Sequence, residues 1–351
     1  MTNGLVAEDV RRIVEQLDLG RALGGSTVLV SGAGGFLAGY MVETLLAAGE
    51  SGGDPIRVIG LVRDMEAARR RYATHLDRPD LELVVQDVNQ PMGEAFTADH
   101  VIHAASPASP RQFGADPVGT ILPNVVGTQA LLDLAVASKS RSFLFLSTSE
   151  VYGRVESIPT SETDFGPLDP TDPRACYAES KRAGEAMCIA WHRQLGVPAK
   201  IARPFHVYGP GMPLNDGRVF SDFVGDVIAN RSVHMKSEGT ATRSFCYVAD
   251  ATAAFFTILI DGTPGVAYNV GDPSSELSVR DLARLLIRLR SDKGPEVDLH
   301  PRDASDTYMP SPIERSAPDI ARLMALGWRP RVAPAEGFER TIASFEETDG
   351  R

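Results

Sequence analysis

A chain of 351 residues with 43% hydrophobic and 23% charged content is long enough to bury a sizeable core, which excludes a disordered segment or a small stapled scaffold. Its net charge of -11 argues against a general nucleic-acid or anionic-membrane binder, because both partners call for a basic face. Cys176, Cys188 and Cys246 are too few and too widely spaced for a disulfide framework or a zinc site, so reduced thiols in a cytoplasm are expected, with no metal.

The segment from Met1 to Leu23 carries acids and an amphipathic pattern at Val10, Ile13, Val14 and Leu17, unlike a signal peptide. It reads as a helical extension, residues 1–24, packed outside the first strand. From there short apolar runs alternate with helical patterns, the signature of βαβ units and a parallel sheet. Strands are expected at Thr27 to Val30, Arg57 to Val62, Leu81 to Val85, His100 to His103, Ser142 to Leu146 and Ala199 to Ala202. Helices are expected at Leu37 to Ala48, Glu66 to Ala73, Gly127 to Ser138 and Ser180 to Leu195. The fold class is α/β, a Rossmann-type doubly wound parallel sheet whose ligands bind beyond the carboxyl ends of the strands.

Beyond about Pro204 the pattern breaks into turns at Gly209-Pro210-Gly211, Pro264-Gly265 and Pro310 to Pro312. Residues 25–204, with returning segments near 240–272, are assigned to the NAD(P)-binding domain, and 205–345 mainly to a smaller mixed substrate lobe. Within that lobe Phe220, Phe223, Val224, Val227 and Ile228 recur at helical spacing.

Val28-Leu29-Val30 runs into Ser31-Gly32-Ala33-Gly34-Gly35-Phe36-Leu37-Ala38-Gly39 and then a helical pattern, the context a dinucleotide loop requires. Gly32 would permit the tight turn, Gly35 the approach of a pyrophosphate, and Ala38 close packing of helix on strand. Amides at the helix start supply the anion site. At the adenosine end Arg63 precedes Asp64, so both NAD and NADP stay open, with NAD as the expected cofactor. Asp87 could accept from an adenine amine or simply cap the strand end.

Tyr177 and Lys181 stand four apart and so share a helix face, where an ammonium favours a phenolate. Such a tyrosine can take the proton of a sugar hydroxyl while hydride leaves the same carbon. Thr148, Ser149 and Glu150 follow the strand ending at Leu146 and bring hydroxyls and a carboxylate to its exit.

These motifs, with His103-Ala104-Ala105-Ser106-Pro107, Ser147 to Gly153, Pro173 to Tyr177, Asn215 to Val219 and Thr242 to Val248, resemble the extended short-chain dehydrogenase/reductase family acting on nucleotide sugars. The nearest subgroup in pattern is the UDP-glucuronate decarboxylases. The resemblance implies oxidation of the sugar 4-hydroxyl by tightly bound NAD(P), with Tyr177 as base and Thr148 on the 4-oxygen. Lys181 lowers the tyrosine pKa, and Glu150 is the acid/base near C5 or C6. It implies cofactor contacts from Gly32, Gly34, Gly35, Phe36, Leu37, Arg63, Asp87, Val88, Ala104, Ala105, Lys181 and Pro204. For a nucleotide-diphosphate sugar it implies contacts from Ser106, Ser149, Arg174, His206, Arg218, Arg243 and Arg315. Asn124 matches the family's structural asparagine, which orders the sheet, and a homodimer through a four-helix contact is implied.

Each residue has a plainer alternative. Glu150 could cap a helix or pair with Arg174, Thr148 could be a strand-end hydroxyl, and the arginines could be surface charges. The sequence departs from the family at His206, where an asparagine is usual, and at Ser316, where decarboxylases carry a second arginine. Decarboxylation, 4-epimerisation and 4,6-dehydration therefore all remain open, as does a catalytically silent cofactor-binding protein, which would leave Tyr177 and Thr148 unaligned.

Overall fold

The computed structural model describes residues 4–50, 54–93, 96–214, 216–235, 237–290, 297–299 and 313–349. Asn215 and the proline turn at 310–312 lie outside the described residues. A seven-stranded parallel sheet runs in the spatial order 267–270, 199–204, 142–146, 100–103, 27–31, 57–62, 81–85. The order turns back on itself between Thr27–Ser31 and His100–His103, whose register pairs Ser31 with His103. That reversal is the switch point at which doubly wound sheets bind ligands.

In the inner strands, runs rich in Val, Ile, Leu and Phe are buried on both faces, as a parallel sheet demands, while the edge strand Leu81–Val85 is only partly covered. On one face Leu29, Val101, Phe143 and Phe145 meet Leu131, Leu132, Ala135 and Cys188 from helices Pro117–Ser138 and Ala175–Leu195. On the other, Val28, Val30 and Leu144 share a core with Ile13 and Val14 of helix Gly4–Leu17 and with helix Val248–Asp261. That core continues without a break into Phe220, Phe223, Phe245 and Phe338, so lobe and sheet are joined by one apolar interior. The lobe adds a three-stranded sheet of Glu276–Ser278, Thr242–Ser244 and Arg315–Ser316.

Strand bounds agree with expectation at Arg57–Val62, Leu81–Val85, His100–His103 and Ser142–Leu146. Two helices start earlier than expected. Pro117–Ser138 begins where the Asp116 carboxylate accepts from the Gly119 amide at 2.8 Å, with proline in the first turn; Pro123 and Gly127 hide this start from a periodicity reading. Ala175–Leu195 begins five residues before Ser180, so Tyr177 and Lys181 lie on one helix.

A buried polar hub joins the extension to the rest. Asp9 accepts from Arg340 at 2.6 Å, from Tyr247 at 2.7 Å and from Tyr40 at 3.3 Å. Its partners thus come from helix Phe36–Glu50, the lobe and helix Pro334–Asp349.

Candidate active site

Gly32 has φ +70, and a Cβ there would lie 2.8 Å from the Ala105 Cα, so only glycine fits between the strand exits. Gly34 faces open space within 4 Å, and Gly35 leads into helix Phe36–Glu50, whose first residues are Phe36 and Leu37. An open glycine-rich turn feeding a helix N-terminus is the shape a pyrophosphate takes. Beneath it Ser31 Oγ accepts from the Ala104 and Ala105 amides at 3.2 and 3.1 Å and lies 2.9 Å from His103 Nδ1. The amides of both alanines are therefore committed to Ser31, and these residues can meet a cofactor only through other atoms. The Ser106 Oγ next to them is buried and has no hydrogen-bond partner among the described residues.

Arg63 is exposed at the end of its strand, and Asp64 caps helix Met65–Arg71 through the Ala67 amide. Asp87 accepts from the Asn89 amide at 2.9 Å, so strand-end capping is present whatever else the carboxylate does. Val88 is buried against Gly127, and Pro204 closes strand Ala199–Pro204.

The two chemical elements meet at the exit of Ser142–Leu146. Tyr177 is buried and stacks on Phe113 at 4.7 Å between centroids, and the nearby Thr148 hydroxyl favours its phenolate. Lys181 donates to the Leu146 carbonyl at 2.6 Å and lies 4.7 Å from the Phe145 ring centroid. Glu150 accepts from Arg174 at 3.1 Å. Thr148, Ser149 and Glu150 occupy one short 3-10 turn, with Thr148 accepting from the Glu150 amide. The pairing of Glu150 with Arg174 is thus real, and it places a carboxylate beside the tyrosine rather than removing it from the site.

The phenol is pushed up to about 12, first by burial and then by the Glu150 charge, against the pull of Thr148 and Arg218. Burial pushes the Lys181 ammonium down to about 7, with Glu185 opposing. Lys181 is not among the groups that move the phenol: its ammonium donates to Leu146 and lies 6.0 Å from the tyrosine ring centroid.

Asn124 corrects another expectation. Its amide donates to Ser180 Oγ and to the Thr120 carbonyl, both at 3.0 Å, and Ser180 donates to the Tyr177 carbonyl. It ties two helices together rather than ordering the sheet.

In the lobe His206 has φ +33, and its Nε2 is buried without a partner among the described residues. Burial, with Arg243 and Arg218 nearby, holds it well below its usual range and hence neutral. Arg218 pairs with Asp216 at 2.7 Å, and Arg243 donates to the Ile313 and Glu314 carbonyls. Arg315 forms a fork with Glu276 at 2.7 and 2.9 Å and is half exposed. Ser316 is buried opposite Arg243 in the sheet register. The structure gathers His206, Arg218 and Arg243 but holds Arg315 on a separate carboxylate.

Residues 28–271 match the NAD dependent epimerase/dehydratase family. The chain belongs to that family. It is an enzyme of that class, and its cofactor is NAD. It is 33% identical over 320 residues to UDP-glucuronic acid decarboxylase 1 of Arabidopsis thaliana, covering 91% of this chain and 69% of that one. Among solved structures, dTDP-glucose 4,6-dehydratase DesIV of Streptomyces venezuelae, with NAD bound, superposes with TM-score 0.79 at 26% identity, covering 92% and 98% of the two chains. UDP-glucose 4-epimerase of Thermotoga maritima, with UDP-glucose, gives 0.76 at 25%, covering 92% and 99%.

The aligned Tyr177 and Thr148 also stand against a silent protein. Sequence reasoning missed Phe113 under the tyrosine and the buried Ser31–His103 pair, because neither has a spacing rule. Apolar runs on both sides of His103 were the available hint.

Proposed function

We propose that the enzyme acts on a nucleotide-diphosphate sugar, oxidising its C4 hydroxyl and then acting at C5, with a UDP-glucuronate decarboxylase-like outcome. The observation that carries this reading is the Glu150–Arg174 pair at 3.1 Å, whose carboxylate, with the Thr148 hydroxyl, acts on Tyr177. Bound NAD supplies the hydride acceptor. Tyr177 removes the proton of the C4 hydroxyl while Thr148 holds that oxygen. With a carboxylate on C5, the new 4-ketone receives the electrons of the breaking C5–C6 bond, carbon dioxide leaves, and a proton is needed at C5. Glu150, after taking a proton from solvent, is the group placed to give it, and Arg174 keeps it oriented; hydride then returns to C4 and Tyr177 gives its proton back to that oxygen, so the cofactor ends as it began. A simple 4-epimerase has no use for Glu150; a 4,6-dehydratase does, and the missing arginine at Ser316 keeps that second reading alive.

Mass spectrometry of products from a panel of nucleotide hexoses and hexuronates tests the proposal. Loss of carbon dioxide is expected; loss of water or no mass change would assign the other two reactions. Tyr177→Phe is expected to lower turnover at least about 100-fold, and full activity in that variant would sink the mechanism. The free cysteines, two of them buried, support a cytoplasmic enzyme. Exposed Val118, Ile121, Leu122 and Val126 on helix Pro117–Ser138 support a homodimer packed through that helix, a use that accounts for its apolar surface without a membrane.

A further inference from the structure

The buried carboxylate of Glu185 lies one helical turn after Lys181 and two after Tyr177, and the proposed chemistry gives it no task. It accepts from Ser147 Oγ at 2.5 Å and from Arg203 at 2.9 and 2.6 Å. Ser147 stands between Leu146, whose carbonyl holds the Lys181 ammonium, and Thr148. Arg203 in turn donates to the Tyr152 hydroxyl and the Glu162 carbonyl, both at 3.0 Å, and Tyr152 donates to Asn269 at 2.5 Å. The 3-10 turn carrying Glu150 is therefore gripped at both ends: by Ser147 before it and by Tyr152, its last residue, through Arg203.

We propose that Glu185 is a positioning residue: its carboxylate fixes the strand exit that presents Thr148 and Glu150, and supplies the standing negative charge one turn from the Lys181 ammonium. Geometry makes the case twice over. A carboxylate with two oxygens shared among a hydroxyl and a planar guanidinium has few rotamers left, so whatever it holds is held rigidly. An i, i+4 acid is also placed to act on the lysine through the helix face they share. The other groups facing Lys181 are Tyr177 and Cys188 on its own helix, His103 from strand His100–His103, and the Leu146 carbonyl and Phe145 ring from strand Ser142–Leu146. His103 is neutral and fully buried, and burial holds the Cys188 thiol up in its neutral form, so Glu185 is the opposing charge that favours the ammonium.

The proposal rests on the sugar-oxidation reading, and its test carries a readout independent of turnover. The sequence contains five lysines, Lys139, Lys181, Lys200, Lys236 and Lys293, so carbon-13 labelling at Cε gives a countable NMR spectrum in which Lys181→Met identifies one signal. In Glu185→Gln, which keeps the shape and the Ser147 bond, the Lys181 titration midpoint is expected to fall by about one pH unit. The kcat is expected to fall about tenfold or more, with KM little changed. The alkaline limb of the rate profile should move down with the lysine, since loss of the carboxylate lets the ammonium deprotonate earlier.

Glu185→Gln leaves the Arg203 cation buried and uncompensated, so Glu185→Gln/Arg203→Gln is measured beside it, restoring a neutral pair if the single variant does not fold. Recovery of stability in the double variant with kcat and the lysine midpoint still lowered supports the proposal. An unmoved lysine midpoint in a folded variant, or wild-type kcat in the double, overturns it. Failure of the wild type to turn over any nucleotide sugar would instead remove the functional reading, and the lysine titration would still decide the role of Glu185.

Discussion

In the proposed reaction Tyr177 is a base that its surroundings keep protonated. Burial and Glu150 hold the phenol at about 12, so the rate of C4 oxidation is expected to rise with pH until loss of the Lys181 ammonium, at about 7, turns it down. The sign of the Glu150 effect gives a test. Replacing the carboxylate in Glu150→Gln removes a negative neighbour, stabilises the phenolate, and should move the acid limb of the C4-oxidation step to lower pH while the later step at C5 fails. Rapid-quench product analysis against pH separates the two; an acid limb that stays put would mean that the charge does not reach the phenol. At this scale Tyr177, Lys181, Thr148 and Glu150 were legible, because spacing and motif order determine them. Phe113 was not: it reaches the tyrosine from helix Pro110–Ala115, more than sixty positions upstream, and stacking partners at such separation leave no periodic trace.

Helices Pro117–Ser138 and Ala175–Leu195 approach closely because small residues let them. A Cβ on Gly184 would lie 2.5 Å from the Phe145 ring and 2.9 Å from the Asn124 carbonyl. Gly184→Ala is therefore expected to destabilise the protein by about 1–3 kcal/mol, read as a lower Tm, and to reduce turnover by displacing the helix that carries the proposed catalytic pair. An unchanged Tm would show that the two helices can part at no cost. The six strands up to Ala202 were read almost to the residue since short, largely apolar runs between turns point to strands in an alternating α/β pattern, whereas the edge strand Ala267–Val270 was not read. Helix starts were read less well. The early start at Pro117 depends on capping and on proline tolerated in the first turn, whereas the eye follows apolar spacing and sees the interruption; Ala175–Leu195 starts early with no side-chain cap.

Across the whole molecule, sheet and lobe share one interior, and the polar hub around Asp9 stitches its edges. Asp9→Ala removes the buried acceptor of two tyrosine hydroxyls and leaves Arg340 with Glu8 alone, at 3.0 Å, as its acid; it is expected to cost about 3 kcal/mol in urea unfolding, with Asp9→Leu/Arg340→Met recovering much of the loss. Additivity of the two single variants would show that the groups are uncoupled. The exposed apolar strip of helix Pro117–Ser138 yields a separate expectation: Leu122→Asp/Val126→Asp should halve the mass seen by light scattering without unfolding the chain, and an unchanged mass would place any dimer contact elsewhere. The doubly wound architecture was legible from alternation alone, but the hub was not, since its members are scattered from the first helix to the last. Asp9 and Arg340 are 331 positions apart, so Asp9 leaves the ribosome long before its cation exists. Until synthesis reaches Arg340, the first helix has a buried acid without its counter-charge, and a nascent chain would hold that helix loosely and finish folding only near release. Translation itself would thus time the last closure of the fold.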